Sequence, residues 1–365
     1  MKITCSKEAL QKGVNIVSKA VPQRTTMAIL ECILIDASKD QIVLMANDTE
    51  LGIETIIDGE ITERGVIALD AKIFSDIVRK LPDDEITISV EENFKTKITC
   101  GKIKFDLVGK SGEDFSYIPV IPRNQSLKLS VITLKDVIRQ TIFSKADNEN
   151  NKILTGELFE MKDDMLRVVA LDGHRVAMRT INLREMVPEA KRVVIPGKTL
   201  SEVSKILPGD DEDVELFFTE NHVIFEFEKT TVVSRLIEGE FLSIDQMNLD
   251  YTTKIKINRL DLISCVDRAS LMANEGDKKP IILEVTDDTL ELKISSFIGS
   301  MDEKIDIEKE GKDIIIAFNP RFILDALRVI DDEEVTLYMI NPKAPCFIRD
   351  EESTYLYLIL PINFN

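Results

Sequence analysis

The sequence lacks the motifs that mark most enzymes and membrane proteins. It contains no G-x-G-x-x-G, no G-x-S-x-G and no P-loop, so nothing points to a dinucleotide, a serine nucleophile or a bound nucleotide. No apolar run approaches the roughly 20 residues that are needed to cross a bilayer. The first residues, MKITCSKEAL, lack the apolar core of a signal peptide. We therefore expect no membrane segment and a cytoplasmic protein.

Cysteine and histidine are also scarce, with five and two residues in a chain of 365. The cysteines have no C-x-x-C spacing; they are Cys5, Cys32, Cys100, Cys265 and Cys346. Isolated cysteines within strand and helix patterns indicate buried free thiols in a reducing compartment rather than disulfides or a zinc site. We expect no bound metal and no cofactor.

What the sequence does have is one pattern that occurs three times, at Ala71–Val90, Gly197–Phe217 and Pro320–Met339. Each copy has a basic residue, apolar residues at helical spacing, a second basic residue seven positions on, an acidic turn and an alternating strand. The first basic residues, Lys72, Lys198 and Arg321, are 126 and 123 positions apart, close to a third of the length. The chain is therefore predicted to be a threefold internal repeat.

A second helical pattern precedes each copy, at residues 6–21, 133–146 and 258–272, with Ser6, Thr133 and Asn258 as predicted N-caps. Runs of strands split by polar turns lie between the two helices of every copy. The fold class predicted is α+β, in which each unit has helices on one face of an antiparallel sheet. Linker-like stretches place the domains at 1–122, 123–249 and 250–365.

The net charge of −19 argues against a polyanionic partner until its distribution is considered. The six helical windows contain 15 Lys or Arg and 7 Asp or Glu, a balance of +8, so the remainder carries −27. Residues seven apart on a helix lie on one face, about 10 Å apart, and the basic pair recurs in register in all three copies. Such rows suit a phosphate backbone, although solvated helix surfaces often carry Lys and Arg as well.

One segment resembles a chemical motif: ALDGHRVA, a predicted hairpin turn in which Asp172-Gly173 suits a tight connection. Asp172, His174 and Arg175 suggest general acid–base chemistry. Such chemistry needs further partners, and no nucleophile or metal-ligand spacing lies nearby in the sequence. We expect no catalytic residue here.

Three repeats, the hairpin LDGHR and the C-terminal strand LYLILPINFN together resemble the bacterial DNA sliding clamp family, the beta subunit of DNA polymerase III. The resemblance covers the whole chain. It implies three similar clamp domains per subunit, with helices lining a hole, closed into a ring by a head-to-tail homodimer. It further implies a processivity factor, not an enzyme, that encircles duplex DNA of any sequence. The expected partners are the replicative DNA polymerase catalytic subunit, the clamp-loader complex and repair proteins with a clamp-binding motif.

The resemblance also implies a pocket for partner peptides between the second and third domains. Its positions in this chain are Leu154, Leu171, Gly173, His174, Arg175, Val176, Met247, Asn319, Phe322, Leu358, Leu360, Pro361 and Ile362. Leu242 stands where the family usually has proline, Lys152-Ile153 where aromatic or basic residues are frequent, and the ending is INFN where Met-Arg is frequent. These departures bear on which peptide is preferred.

Two further sets of residues are expected to act in the ring. By resemblance, Phe105 and Leu107 in domain one should meet Leu271 and Met272 in domain three of the other subunit. The basic pairs and the positive helix balance predict side chains directed at phosphates, namely Arg24, Lys72, Arg79, Arg139, Lys198 and Lys205.

Two other classes of function remain open at this point. One is a metal-free hydrolase or phosphotransferase that uses Asp172, His174 and Arg175, for which loss of turnover in His174→Ala would be diagnostic. The other is a repeat scaffold that binds proteins but not DNA. Equal retention on linear and circular DNA, with no salt dependence, would favour this class.

Overall fold

The protein's computed structural model describes residues 1–119, 121–123, 126–147, 149–209, 212–244, 247, 249–272 and 279–364. Six α-helices occur in the described residues, two in each copy, as the sequence predicts: α1 Lys7–Val17, α2 Ala71–Lys80, α3 Val131–Thr141, α4 Gly197–Ile206, α5 Arg259–Ser270 and α6 Pro320–Val329. Between and after the helices lie the strands, which confirms the α+β class and the threefold repeat.

The strands of copy one are β1 Lys2–Ser6, β2 Cys32–Asp36, β3 Ile42–Asn47, β4 Leu51–Ile57, β5 Glu60–Glu63, β6 Val66–Asp70, β7 Glu85–Val90, β8 Lys95–Cys100, β9 Ile103–Val108 and β10 Lys110–Ser111. Those of copy two are β11 Ser126–Ser130, β12 Gly156–Lys162, β13 Met165–Leu171, β14 Arg175–Asn182, β15 Lys191–Pro196, β16 Asp213–Phe218, β17 His222–Phe227 and β18 Thr230–Arg235. Those of copy three are β19 Thr253–Asn258, β20 Ile281–Thr286, β21 Thr289–Ser295, β22 Ser300–Asp306, β23 Glu308–Gly311, β24 Ile314–Phe318, β25 Glu334–Met339, β26 Cys346–Arg349 and β27 Tyr355–Ile359.

Polar residues cap the helices where their first N–H groups have no partner within the helix. Ser6 accepts from Ala9 N at 3.2 Å, and Asn258 accepts from the backbone N–H groups of two residues in α5, which confirms both predicted caps. The prediction of Thr133 as a cap is wrong, because α3 begins at Val131 and Thr133 lies inside its first turn. Ser130, the last residue of β11, stands directly before α3, as Ser6 and Asn258 stand before α1 and α5.

The chain divides into two compact units, and each contains two antiparallel sheets. The unit formed by Met1–Ile132 and Ser201–Leu236 holds sheet 1, in the order β5-β1-β7-β8-β9, and sheet 2, in the order β10-β6-β2-β3-β4-β18-β17-β16-β11. The unit formed by Thr133–Leu200 and Ile237–Asn365 holds sheet 3, in the order β15-β12-β13-β14-β27-β26-β25-β19-β23, and sheet 4, in the order β22-β21-β20-β24. Each nine-stranded sheet thus joins strands of two successive copies.

The two joints have the same register. We call the pairing of β4 with β18 the first seam and that of β14 with β27 the second seam. The facing residues of the first seam include Leu51 with Ser234, Gly52 with Val233 and Ile53 with Val232. Those of the second include Arg175 with Ile359, Val176 with Leu358 and Ala177 with Tyr357. The strands that join successive copies are therefore paired in the same register at both seams.

Apolar side chains fill the space between helices and sheets, as expected for α+β layers. In copy three, α5 packs against α6, β19 and β21, over a core that includes Leu262, Val266 and Leu327. All five cysteines are buried and free, which confirms the prediction from their spacing. Within the described part of the chain, no helix is long and apolar enough to cross a membrane.

Candidate functional sites

The basic pairs of the repeat lie at the surface of the second helix of each copy. Lys72 and Arg79 are exposed on α2, and Arg79 donates to Asp76 one turn before it. Lys198 and Lys205 are exposed at the two ends of α4. Exposed ion pairs within one helix are weak, so a phosphate can displace them at little cost. These four residues stay predicted phosphate contacts.

Lys205 also lines a groove of about 810 Å³ together with the basic face of α1. Lys7, Lys12 and Lys19 contribute to the same groove, and Lys12 Nζ lies 2.8 Å from Glu228 Oε2. Arg24 is exposed in the loop that follows α1. Lys12 and Lys19 are also seven positions apart, but they belong to the first helical pattern and not to the basic pair repeated in the second helix, so the sequence reasoning did not single them out.

Arg139 differs from Arg79 and Lys205, whose carboxylate partners lie on the same helix, because its guanidinium also bonds to the segment after α6. It lies 2.7 Å from Asp331 and 3.1 Å from Asp136, and it donates to Val329 O at 3.1 Å. These contacts link α3 to the segment after α6, and the pKa of Arg139 is raised by its two carboxylate partners despite desolvation. Contact of Arg139 with DNA stays a prediction. Within the protein, Arg139 connects α3 to the segment after α6.

The LDGHR segment forms the predicted hairpin turn between β13 and β14. Gly173 has a φ of +89°, a conformation that glycine adopts without strain. Asp172 Oδ1 accepts from His174 N at 2.9 Å and from Arg175 N at 3.1 Å, while its other oxygen accepts from Arg175 Nε at 3.0 Å. The Asp172 carboxylate is therefore used to shape the turn.

Arg175 joins this hairpin to two other elements. Its side chain is 7% exposed, donating to Asp325 Oδ2 of α6 and to the carbonyl of Phe143, each at 2.6 Å. The guanidinium carbon lies 4.5 Å from the centre of the Phe322 ring and 5.4 Å from that of Phe143. Such a buried, fully bonded cation fixes the hairpin against α6. Of the predicted pocket residues, Arg175 thus serves as support rather than as open surface.

Two apolar clusters flank the second seam. Leu158, Leu171 and Phe241 form a cluster on its copy-two side, and Tyr338, Phe347 and Leu358 form one on its copy-three side. Val176 and Met247 contact both clusters, and Leu154 contacts the first. The structure thus brings together these predicted pocket residues from three separate stretches of the chain.

The end of the chain continues beside these clusters. Leu360 N donates to His174 O at 2.9 Å, and Ile362 N donates to Ala317 O at 2.8 Å, so Pro361 lies between two anchored positions. Leu360 is 37% exposed. His174 stacks on Phe322, with ring centres 6.2 Å apart.

Phe322 belongs to the first turn of α6, which Asn319 caps through Arg321 N at 3.0 Å. All thirteen predicted pocket positions therefore lie in the same unit, around the second seam and the start of α6.

The predicted interface residues lie on an edge strand of sheet 1 and directly after α5. Phe105 and Leu107 belong to β9, the last strand of sheet 1, and Phe105 is 36% exposed. Leu271 and Met272 follow α5, and Leu271 is 73% exposed. A Cβ built on Gly299, just before β22, would lie 3.8 Å from Met272 Sδ. Met272 is therefore next to the edge strand of sheet 4.

Comparisons with known proteins assign this architecture. Family models of the DNA polymerase III beta subunit match three successive parts: the N-terminal domain at residues 1–119, the central domain at 128–242 and the C-terminal domain at 248–363. The chain belongs to the DNA polymerase III beta subunit family. The resemblance drawn from the sequence is confirmed.

Relatives of similar length support the assignment. A beta sliding clamp of Staphylococcus epidermidis is 36% identical over 374 residues, with 99% of each chain covered. A crystal structure from Eubacterium rectale, assigned as a DNA polymerase III beta subunit, is 66% identical with a TM-score of 0.97. The DNA polymerase sliding clamp of Bacillus subtilis is 33% identical with a TM-score of 0.97. Both structures are covered fully, as is this chain.

Membership of this family confirms that the chain is not an enzyme, because sliding clamps are non-catalytic processivity factors. The hairpin agrees: Asp172 is committed to the turn and Arg175 to Asp325. Among the described residues, no group of three His, Cys, Asp or Glu side chains could hold a metal ion.

Several exposed apolar residues near the sheet edges were missed by the sequence reasoning. Val108 at the end of β9 is 81% exposed, and Phe297 and Ile298, in the turn before β22, are 77% and 50% exposed. Phe297 occupies the turn position that Gly173 occupies in copy two. The turn does not require an aromatic side chain at this position. That substitution within the repeat is the signal that could have identified them.

Proposed function

We propose that this chain is a DNA sliding clamp that closes around duplex DNA as a head-to-tail homodimer and tethers the replicative DNA polymerase. One observation carries the proposal. The two seams within the chain are formed by strands that are equivalent in the repeat. The third pair of equivalent strands, β9 and β22, lies at the edges of sheets 1 and 4.

The equivalence follows from strand order. The series β1-β7-β8-β9 in copy one corresponds to β11-β16-β17-β18 and to β19-β25-β26-β27. The series β24-β20-β21-β22 in copy three corresponds to β6-β2-β3-β4 and to β15-β12-β13-β14. Because β18 pairs with β4 and β27 with β14, β9 should pair with β22 of a second copy. A paired edge also removes the risk of uncontrolled edge-to-edge association.

The register of this third seam can be read from the other two. The turn before β22 has the same bonds as the turn at Asp172: Ser296 N donates to Gly299 O at 2.9 Å, and Ile298 N donates to Ser296 Oγ at 3.2 Å. Aligning the strands on these turns gives the expected facing pairs Lys104 with Asp302, Phe105 with Met301, Asp106 with Ser300 and Leu107 with Gly299. Opposite charges and apolar residues then face each other, which favours pairing.

Analytical ultracentrifugation tests the ring. Leu271→Ala combined with Met272→Ala removes two apolar side chains beside β22, each worth roughly 1.5 to 3 kcal/mol when fully buried, so the variant should be monomeric at nanomolar concentration. Met186→Ala, an exposed methionine outside both edges, is the control. A double variant that stays dimeric at that concentration would rule out this interface.

The helices supply the proposed DNA contacts. Side-chain amines that meet phosphates loosely carry no base information, so a closed ring can hold duplex DNA and still slide. The acidic remainder of the chain discourages binding elsewhere. The same role places the protein in the cytoplasm, where the DNA of a bacterium is replicated.

We further propose that the two apolar clusters border a groove along the second seam, in which partner proteins dock. A short peptide with a glutamine followed by apolar and aromatic residues would place its apolar side chains against Leu154, Val176, Leu358 and Leu360. A few buried anchors supply micromolar affinity, roughly −8 kcal/mol, after the cost of ordering the peptide. Weak binding allows the polymerase catalytic subunit, the clamp loader and repair proteins to exchange.

Fluorescence polarisation of such a peptide tests the groove. Deletion of residues 360–365 should abolish peptide binding and leave the dimer intact, since the edge strands lie elsewhere in the fold. Unchanged affinity in a folded, dimeric truncation would show that the terminal apolar residues are only core.

A further inference from the structure

The linker that joins copies one and two covers the first seam. Phe115 is 4% exposed and packs against a cluster on the copy-one side that includes Leu34 and Met45. Ile118 contacts this cluster and also the cluster around Phe217 on the copy-two side. A single linker side chain therefore bridges the first seam.

Gly52 provides the space that Ile118 occupies. A Cβ built on Gly52 would lie 2.7 Å from Ile118 Cγ1 and 2.9 Å from Ile118 Cδ1, closer than real Cβ contacts. Because Gly52 faces Val233 across the seam, Ile118 lies directly over the joint between the two strands. Any side chain at position 52 would displace it.

The second seam has a larger residue at the position of Gly52. Val176 stands in the register position of Gly52 and faces Leu358. The linker there has Ile244 three residues after buried Phe241, as Ile118 follows Phe115, but Ile244 belongs only to the cluster on the copy-two side. The linker residue that reaches both sides is Met247, an unbranched and adaptable side chain.

We propose that the first seam is a second copy of the peptide groove, which the chain keeps filled with its own Ile118. On this proposal, the residue at the register position of Gly52 and Val176 decides whether a groove accepts a partner. Gly52 leaves space for the linker isoleucine, whereas the side chain of Val176 fills that space. Each chain then offers one groove instead of two. The inference rests on the proposed function in taking the second seam as the peptide site.

A thermal-unfolding cycle on the full chain tests the first seam without any peptide. Gly52→Val should lower the Tm by about 4 °C or more, because the added valine side chain expels Ile118 from its apolar contacts. In Gly52→Val/Ile118→Ala there is no isoleucine to expel, so its Tm should be no lower than that of Ile118→Ala alone. Additive losses in the double variant would overturn the proposal.

The converse experiment recreates the filled groove at the second seam. Val176→Gly should let Ile244 move over the seam and weaken the binding of a fluorescent peptide, with glutamine followed by apolar and aromatic residues, at least tenfold. Val176→Gly/Ile244→Ala should recover affinity to within about threefold of the wild type, and Ile244→Ala alone is the matched control. If Ile244→Ala restores nothing, Val176 is only a direct contact and the proposal fails.

The two experiments separate the possible failures. If the wild-type chain binds no such peptide, the proposed groove is wrong, and the thermal cycle still decides whether Ile118 occupies a space that Gly52 provides. If the peptide binds and the cycle is additive, the groove stands and the filled first seam does not.

Discussion

Arg175 and Asp325 form a half-buried ion pair with 2.6 Å between guanidinium and carboxylate, and this pair connects the β13–β14 hairpin to α6. The side chains are 7% and 21% exposed, so water screens them little. The pair couples the two halves of the proposed peptide site, which come from copies two and three.

Arg175→Ala should destabilise the chain and weaken peptide binding together. Two carboxylates, Asp172 and Asp325, would lose their shared cation, at a cost of about 2 to 4 kcal/mol. Urea unfolding and fluorescence polarisation measure the two effects, and we expect the affinity to fall at least tenfold. Arg175→Lys should recover little, since an ammonium cannot reproduce the planar fork.

His174→Ala is the control for the stability half of this prediction, because it changes the neighbouring exposed side chain and leaves the ion pair intact. A stability change within about 0.5 kcal/mol is expected for it. Peptide affinity that survives Arg175→Ala unchanged would mean that the two halves of the site hold their positions without this pair.

A buried carboxyl group makes the stability of the second unit depend on pH. Thr141 Oγ1 lies 2.6 Å from Glu157 Oε2 and 2.7 Å from Val137 O, yet a hydroxyl has one hydrogen to donate. A protonated Glu157 that donates from Oε2 to Thr141 Oγ1 leaves the Thr141 hydrogen for Val137 O. Burial raises the pKa of Glu157 to about 8, against smaller opposing effects of Thr141 and Lys145.

The sign of the pH effect follows from this raised pKa. The folded chain holds the Glu157 proton up to about pH 8, whereas the unfolded chain releases it above its ordinary pKa of 4.5. The contribution is therefore complete below pH 4.5 and is lost as the pH rises toward 8. At roughly 1.4 kcal/mol per unit of pKa shift, the loss amounts to several kcal/mol.

Glu157→Gln should remove this contribution, because the amide stays neutral at every pH. Urea unfolding between pH 5 and pH 9 measures the free energy of unfolding of both proteins. As the pH rises, the wild type should lose stability relative to the variant. A difference that stays constant across this range would mean that Glu157 is ionised in the folded chain.

The repeat and the fold class could be predicted from sequence because they depend on local periodicity and capping. Ser6 and Asn258 cap their helices as expected, since a side-chain oxygen before an apolar period acts locally. The prediction for Thr133 is wrong because the polar residue directly before α3 is Ser130 at the end of β11, so the sequence reasoning placed the start of this helix too late.

The seams could not be predicted in this way. Gly52 and Val176 lie in equivalent registers, but their significance depends on linker residues that are distant in sequence, such as Ile118. Likewise, Arg175 was expected to line the pocket, whereas its partner Asp325 lies 150 positions away. Nothing in a single sequence connects two such positions.

A charge exchange tests the register of the third seam. Lys104→Glu and Asp302→Lys should each place like charges opposite each other and raise the dimer dissociation constant about threefold to tenfold, since cross-strand charge pairs contribute roughly 0.2 to 1 kcal/mol and repulsion adds to their loss. The double variant should return toward the wild-type value. Sedimentation at low salt measures the dissociation constant of each variant. If the free-energy losses of the two single variants add up in the double variant, the register is wrong.

Charge reversal on the helices tests the DNA contacts. Lys72→Glu/Lys198→Glu should weaken DNA association about equally for unrelated sequences and should flatten its salt dependence. The control, Lys162→Glu/Lys343→Glu, makes the same change in net charge at exposed positions outside the helices. If both double variants lose affinity equally, net charge and not helix position governs binding.

Retention on DNA of different topology tests the central claim most directly. The chain is loaded by a clamp loader onto nicked circular DNA, the loader is removed, and half of the sample is cut once to make it linear. An encircling ring should stay on the circle through gel filtration at high salt and should slide off the ends after linearisation. Equal retention on circular and linear DNA, or equal loss from both, would contradict encirclement.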